Sequence, residues 1–174
     1  MRLTGIVLAA LLALAACSPP AGAGASSSPA AASAVHRVSG LLVIPLTVTT
    51  AGKAHRFQVE IARSEEEQAK GLMFRTAMGA GEGMIFPMNP PRSAAFWMRN
   101  TVIPLDIIFI GTDRRILNIA ANTVPYSEAS LASSGAVSAV LELNGGRAAQ
   151  LGIGPGDRVA WSRAMTQRPL PLRP

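Results

Sequence analysis

The chain has 174 residues, a formal net charge of +6 at pH 7 and 49% hydrophobic residues. This length suits one ordinary domain and excludes two of ordinary size. The basic residues are scattered and no nucleic-acid-binding motif occurs among them, so we expect no nucleic-acid partner.

The first residues have the pattern of an export signal. Arg2 precedes an apolar run over residues 6–16, which is shorter than the roughly 20 residues that span a bilayer. The run ends in Leu14-Ala15-Ala16-Cys17, and small residues before a lone cysteine resemble the lipobox of bacterial lipoproteins. The resemblance implies a signal peptide at residues 1–16, a lipid anchor at Cys17 and an envelope location, on the periplasmic face of the outer membrane if the cell has one. The alternative is an ordinary secreted protein in which Cys17 is incidental.

Two segments have too few bulky apolar side chains to fold. The stretch from Ser18 to Gly40 consists largely of alanine, serine, glycine and proline, so residues 17–40 are predicted to form a lipidated, flexible tether. Residues 164–174 are predicted to form a disordered tail rich in proline and arginine. A single compact domain is therefore expected over residues 41–163, and it contains no cysteine for a disulfide or a zinc site.

Short runs of alternating apolar and polar residues, separated by turn sequences, predict a strand-rich domain. Pro45 favours an edge position for the first strand, because proline cannot donate to a sheet ladder. Ala51-Gly52-Lys53 and Gly111-Thr112-Asp113 have the composition of hairpin turns, and Asn89-Pro90-Pro91 that of a further turn. Strands are predicted at residues 42–48, 54–61, 84–88, 94–101, 105–110, 115–123, 136–144 and 158–163.

Two short helices are predicted between the strands. Ser64 and Glu67 are spaced as a capping box at the start of the first helix, and Gly71 is placed as its C-terminal cap. The second helix is predicted at residues 147–151. Many strands with two short helices indicate a mainly β fold, either a jelly-roll-like sandwich or a barrel.

Five motifs occur in order along the domain: Gly71-Leu72-Met73-Phe74-Arg75, Gly83-Met84-Ile85-Phe86, Phe96-Trp97-Met98-Arg99-Asn100-Thr101, Ile103-Pro104-Leu105-Asp106-Ile107, and Val140-Leu141-Glu142-Leu143 followed by Gly145-Gly146 and Gly156-Asp157. Together they strongly resemble the family called domain of unknown function 192, over about residues 41–163. The resemblance implies a compact, mainly β fold of jelly-roll or barrel type, and it implies no activity because the family has no established one. Residues 128–138 are the least family-like segment.

Strand parity would give residues 94–101 two different sides. If Phe96 and Met98 face the core, Trp97, Arg99 and Thr101 face the other way. An exposed indole beside a guanidinium group suits stacking on a sugar ring or binding a carboxylate or phosphate. The alternative is that another element covers Trp97 and that Arg99 packs on it. We predict a non-enzymatic binding module for a glycan or a small anionic molecule, without a cofactor, and its site residues are Arg75, Trp97, Arg99, Asn100, Thr101, Asp106 and Glu142.

Asp106 and Glu142 each lie within an apolar run, where an unpaired carboxylate is costly. Arg75 and Arg99 are the candidate partners of Asp106, and such a pair would be a structural lock. A second hypothesis is a hydrolase in which Asp106 and Glu142 meet in one cleft as an acid–base couple.

Five methionines fall between residues 73 and 98. Thioethers are ligands for Cu(I), so a third hypothesis is a copper-binding protein that uses Met84 and Met98. The alternative is that these methionines fill the core, because the predicted domain offers only His55 as a histidine ligand.

Overall fold

The computed structural model describes residues 34–162. The predicted signal peptide, Cys17, most of the predicted tether and the predicted tail lie outside the described residues. Within residues 34–162, neither helix has the length and apolar character needed to cross a bilayer. The strands are β1 Ala34–Val35, β2 Leu42–Thr50, β3 Lys53–Ile61, β4 Glu82–Arg92, β5 Ala95–Phe96, β6 Leu105–Gly111, β7 Ile116–Ala120, β8 Leu131–Ala132, β9 Val137–Asn144 and β10 Arg158–Trp161, and the helices are α1 Glu65–Lys70 and α2 Arg147–Leu151.

Most of the strands belong to one mixed sheet. Its order is β1-β2-β3-β4-β9-β6-β7, with β10 paired to β2, while β5 and β8 form a separate two-stranded sheet. The ladders are antiparallel except for β3–β4, which is parallel and has α1 in its connection. Within the described chain a bridge between Arg115 and Arg158 links β10 to the β6–β7 hairpin, but the sheet does not close into a barrel. The prediction of a mainly β, sandwich-like fold with two short helices is confirmed.

The β2–β3 hairpin forms at the predicted turn. Ala51 and Gly52 both have left-handed backbones, with φ of 46° and 78°, as the favoured two-residue hairpin turn requires. The edge position predicted for the first strand is wrong, because β2 pairs with β3 on one side and with β1 and β10 on the other. Pro45 lies between the stretch paired with β1 and the stretch paired with β10, a gap that tolerates a residue without an amide proton.

The helix α1 begins with the predicted capping box. The Ser64 hydroxyl accepts a hydrogen bond from the Glu67 amide at 3.1 Å, and the Glu67 carboxylate accepts one from the Ser64 amide at 3.0 Å. Gly71 caps the other end with a φ of 47°, a conformation that favours glycine. The Gln68 side chain donates to the Pro87 carbonyl at 3.0 Å, which fixes the helix against β4.

The three central strands β4, β9 and β6 are covered on both faces, and all seven residues of β6 are buried. Their alternate side chains enter two apolar clusters. The first core also contains side chains of β2, β3 and β10, and the second core also contains Leu72 and Met98. A polar side chain in the buried middle of these strands is therefore removed from water on whichever side it points, whereas Glu82, Asn89 and Arg92 at the ends of β4 are exposed. The central strands contribute Ile85, Ile108, Ile110, Ala139, Leu141 and Leu143 to the first core, and Met84, Phe86, Met88, Leu105, Ile107, Phe109, Val137 and Val140 to the second.

The strand predicted over residues 94–101 is mostly wrong. Only β5 pairs in a ladder, and the chain then forms a turn over residues 98–101, which we call the central turn. In it the Thr101 amide donates to the Met98 carbonyl at 3.0 Å, and Asn100 has a φ of 56°. Asparagine tolerates this left-handed backbone better than most residues do, so the extended form ends here.

The turn predicted at Asn89-Pro90-Pro91 also does not end its strand. These residues lie inside β4, which continues past them with a register shift against β9. The shift lets the ladder pass the two prolines, which have no amide proton to donate.

The fold begins inside the segment predicted to be a flexible tether. Ala34 and Val35 pair with β2, and the His36 amide donates to the Leu41 carbonyl at 2.8 Å. The Ser39 hydroxyl donates to the carboxylate of Glu60 in β3. These backbone and side-chain bonds hold residues 34–40 on the sheet, so they belong to the domain.

Asp106 locks β6 to the turn that precedes α2. Its Oδ1 accepts hydrogen bonds from the amides of Asn122 at 2.7 Å and Gly146 at 2.9 Å, and its Oδ2 accepts one from the Ala148 amide at 2.7 Å. The predicted arginine partners are therefore wrong, since three backbone donors satisfy this fully buried carboxylate. The prediction that Asp106 is a structural lock holds with these different partners.

Asp106→Asn is expected to lower the free energy of unfolding by roughly 2–4 kcal/mol, because the new amide group would face the Ala148 N–H with a second donor. Urea unfolding of the two proteins at pH 7 measures the difference. Asp113→Asn is the matched control: Asp113 is exposed and accepts from the Arg115 amide at 3.0 Å, a bond that the asparagine oxygen can keep. Equal losses of unfolding free energy in the two variants would contradict the assignment of Asp106 as a structural lock.

Candidate functional site

A pocket of about 520 Å³ opens beside the second core. The C-terminal half of α1 and the turn after it form one wall, over residues 68–73. Residues 92–97 form another, and Glu128 and Ser130 contribute from the loop that carries β8. Phe86, Met88, Thr101 and Glu142 complete the lining. Segments distant in the sequence therefore meet at one cavity of the size that takes a small ligand.

Phe96 fixes the apolar wall of the pocket. Its ring meets Phe86 edge-on, with centroids 5.1 Å apart, and meets Phe109 in the same way at 6.3 Å. These edge-to-face contacts hold β5 against the second core. The next residue, Trp97, points outward and remains 49% exposed at the pocket.

Arg99 packs against Trp97 without hiding it. The guanidinium carbon lies 5.5 Å from the centre of the indole ring, and Nε lies 3.5 Å from the Glu128 carboxylate. The cation–π contact of the alternative interpretation is thus present. The indole is nevertheless half exposed, as the binding hypothesis expected. Arg99 itself does not line the pocket, whereas Glu128 does.

Glu142 supplies a buried carboxyl group to the pocket. It lies in the middle of β9, opposite Met84 of β4 and Ile107 of β6, and is 5% exposed. Within residues 34–162 its carboxyl group has no hydrogen bond or ion pair. Burial raises the pKa of Glu142 from 4.5 to about 8. The group is therefore mostly protonated at neutral pH, and it can both donate and accept a hydrogen bond.

Of the predicted site residues, Trp97, Thr101 and Glu142 come together at the pocket. Thr101 is buried and does not share the exposed side of Trp97, because the central turn interrupts the strand alternation on which that expectation depended.

Arg75 and Asn100 do not line the pocket. Arg75 Nη2 donates to both carboxylate oxygens of the buried Glu60 at 2.8 Å, and His36 Nδ1 lies 3.5 Å from the same carboxylate. The Asn100 carbonyl accepts a hydrogen bond from the Phe74 amide at 2.8 Å, so Asn100 shapes the central turn. Both residues therefore form interactions within the domain that stabilise the fold.

The acid–base hypothesis for Asp106 and Glu142 is wrong. Glu142 is in register with Ile107, and Asp106 with Leu143. Paired residues share a face of a sheet and successive residues alternate, so the two carboxyl groups lie on opposite faces of the β6–β9 ladder. No single cleft contains both.

The copper hypothesis also conflicts with the structure. Met84 and Met98 are fully buried in the second core, and the Met98 sulfur accepts a hydrogen bond from the Thr123 hydroxyl at 3.0 Å. These side chains fill the core, as the alternative interpretation stated. In the part of the chain that the structure describes, no group of three or more histidine, cysteine, aspartate or glutamate side chains could hold a metal ion.

Sequence reasoning missed the charged residues at the pocket, Lys70, Arg92 and Glu128. Lys70 was visible as a basic residue in the last turn of α1, but nothing local indicates that this helix end faces Trp97. Glu128 is brought there by a loop whose Ser127 carbonyl accepts the Met98 amide at 2.8 Å. That contact joins segments that no sequence pattern relates.

Comparison with known proteins gives similar solved structures. No curated protein matches the chain. A crystal structure of a protein of unknown function from Novosphingobium aromaticivorans is 64% identical, with a TM-score of 0.74, and the match covers 76% of this chain and 94% of that one. A putative transcription regulator from Sinorhizobium meliloti is 39% identical, with a TM-score of 0.68, over 70% of this chain and 95% of that one.

The family comparison agrees with the motifs and with the fold. The profile of DUF192, described as "Uncharacterized ACR", matches residues 46–161, which include every segment that lines the pocket. The chain belongs to the DUF192 family.

Proposed function

We propose that the protein is a non-enzymatic binding module whose pocket takes a sugar ring of a glycan or of a small glycoside. One observation carries the proposal: the half-exposed indole of Trp97 lines the same cavity as the carboxyl group of Glu142, which is buried and has no hydrogen-bond partner among residues 34–162. A sugar ring has an apolar face that stacks on an aromatic side chain and hydroxyl groups that need hydrogen-bond partners. The pocket offers both kinds of surface.

The side chain of Trp97 is preorganised for stacking. Arg99 contacts the ring of Trp97 and is itself held by Glu128, so the side chain is restrained before a ligand arrives. Restraint in the free protein reduces the conformational entropy that binding would otherwise cost. Phe96, which is packed between two phenylalanine rings, fixes the adjoining backbone.

Glu142 gives the pocket its polar specificity. A buried carboxyl group without a partner costs free energy, and a ligand hydroxyl that bonds to it would recover part of that cost. A protonated carboxyl group can donate to one hydroxyl and accept from another. Ser130 and Thr101 add hydroxyl groups to the lining, and Lys70 and Arg92 would favour an acidic substituent on the ligand.

A single residue at the pocket makes this proposal testable. Trp97→Ala is expected to weaken binding of any hit from a glycan-array or thermal-shift screen by at least about tenfold, because the stacking surface is lost. Trp97→Phe retains an aromatic ring and is expected to keep most of the affinity. Titration calorimetry of the purified full-length chain measures both. The proposal fails if no sugar binds, or if Trp97→Ala binds as tightly as the unchanged protein.

The raised pKa of Glu142 predicts a pH-dependent stability. Between pH 4.5 and about 8 the unfolded chain loses a proton that the folded protein retains, so stability falls as the pH rises. Relative to Glu142→Gln, the unchanged protein should lose unfolding free energy, on the order of 1 kcal/mol per pH unit, throughout this window, with no further loss above pH 8.

Urea unfolding at pH 5, 6, 7 and 8 measures this difference. Glu128→Gln is the matched control, since Glu128 lines the same pocket but its side chain is 64% exposed. Parallel stability curves for Glu142→Gln and the unchanged protein would show that Glu142 ionises normally and would remove the protonated donor from the proposal.

The N-terminal sequence supports a further part of the proposal, that the module is exported and lipid-anchored at the envelope through Cys17. In bacterial cells, the full-length chain is expected to incorporate radiolabelled palmitate and to sediment with membranes. Cys17→Ser should do neither, because the lipid is attached through the cysteine sulfur, which serine lacks. Unlabelled protein, or equal labelling of the Cys17→Ser chain, would support the ordinary secreted protein instead.

A further inference from the structure

Three exposed apolar side chains do not line the pocket but belong to segments that adjoin its lining residues. Phe74 is 68% exposed, Val124 is 70% exposed and Tyr126 is 60% exposed. We call Phe74 and Tyr126 the aromatic patch. Large apolar side chains in contact with water are unfavourable, and when they are grouped they commonly mark a binding surface.

The aromatic patch is joined to the pocket by backbone hydrogen bonds. The Phe74 amide donates to the Asn100 carbonyl at 2.8 Å, and the Tyr126 amide donates to the Thr101 carbonyl at 3.2 Å. Both aromatic residues are therefore held beside the central turn. Met73 and Thr101 line the pocket. Phe74 therefore follows a lining residue in the chain, and Tyr126 is hydrogen-bonded to another.

The backbone at both rings is in a conformation that costs free energy. Phe74 and Tyr126 each have a φ of 63°, in the left-handed region that bulky residues rarely adopt. Such a conformation persists only where the surrounding structure imposes it. Here the result is two aromatic rings turned towards water, so packing inside the described domain does not repay the cost.

We infer that the aromatic patch is a second subsite, which binds the sugar units that follow the one in the pocket, so that the ligand is an oligosaccharide chain. This inference rests on the proposed sugar-binding function. Continuity with the pocket identifies the occupant, because Phe74 directly follows the lining residue Met73 and Tyr126 is hydrogen-bonded to the lining residue Thr101. Each ring can stack on the apolar face of one sugar, and the exposed Arg99–Glu128 pair offers polar contacts to a ligand that extends from the pocket, which Glu128 lines.

The test compares the affinities of oligosaccharides of different length. Titration calorimetry of the full-length protein with N-acetylglucosamine and its β-1,4-linked oligomers of two to six units, and with the matching glucose series, gives the affinity for each length. Affinity is expected to rise with length, by roughly two- to tenfold for each ring engaged. Phe74→Ala and Tyr126→Ala should each flatten this rise and leave the affinity for the single sugar within about twofold. Tyr126→Phe, which keeps the ring, should retain most of the rise.

The outcomes separate this inference from the function on which it rests. If the single sugar binds and affinity does not change with length, the subsite is overturned, the pocket function stands, and the aromatic patch is better explained as a contact surface for a protein. A rise in affinity that is unchanged in Phe74→Ala and Tyr126→Ala also overturns the subsite. If no member of either series binds, the sugar-binding function fails together with the inference. Thermal unfolding of each variant identifies any loss of fold, and both side chains are exposed enough for their removal to be tolerated.

Discussion

The burial of β4, β9 and β6 on both faces is the constraint on which the rest of the structure depends. It requires that a polar side chain in the buried middle of these strands has a partner inside the protein, because an unpaired one costs free energy. Asp106 and Glu142 are neighbours across the β6–β9 ladder and show the two outcomes. Asp106 is satisfied by three backbone amides and holds the turn before α2. Glu142 has no partner in the described chain and keeps its proton, which makes it the group best suited to meet a ligand.

The pocket lies where the regular sheet ends. The central turn replaces the expected strand because Asn100 adopts a left-handed backbone and the neighbouring loops bond to the turn's carbonyls. This departure leaves Trp97 outside the second core, next to Arg99, and it places Phe74 and Tyr126 beside the cavity. Strained backbone and exposed rings occur together at this one place, as they often do where a protein meets a ligand.

Several elements could be predicted because their causes are local. The turn at Ala51-Gly52 depends on two consecutive backbone conformations, and the start of α1 depends on side chains three residues apart. The predicted strand that corresponds to β6 is a nearly continuous run of apolar residues. It could be recognised without knowledge of its register against the neighbouring strands, because both of its faces are buried. The failures involve partners that are distant in the chain. The three donors to Asp106 come from residues 122, 146 and 148, and the strand predicted over residues 94–101 was prevented by hydrogen bonds to residues 74, 126 and 127.

The sequence by itself determined that the domain is mainly β, that two short helices interrupt it, and that Trp97 and Glu142 stand in chemically unusual surroundings. These properties follow from alternation, capping and turn residues, whose energetics act over a few positions. Only the tertiary structure decided that Asp106 and Glu142 face opposite sides of one ladder, that Met84 and Met98 are enclosed, and that Lys70, Arg92 and Glu128 share a cavity with Trp97. The physical reason is that strand register and loop contacts select which distant residues meet, and a shift of one residue would turn every side chain to the other face.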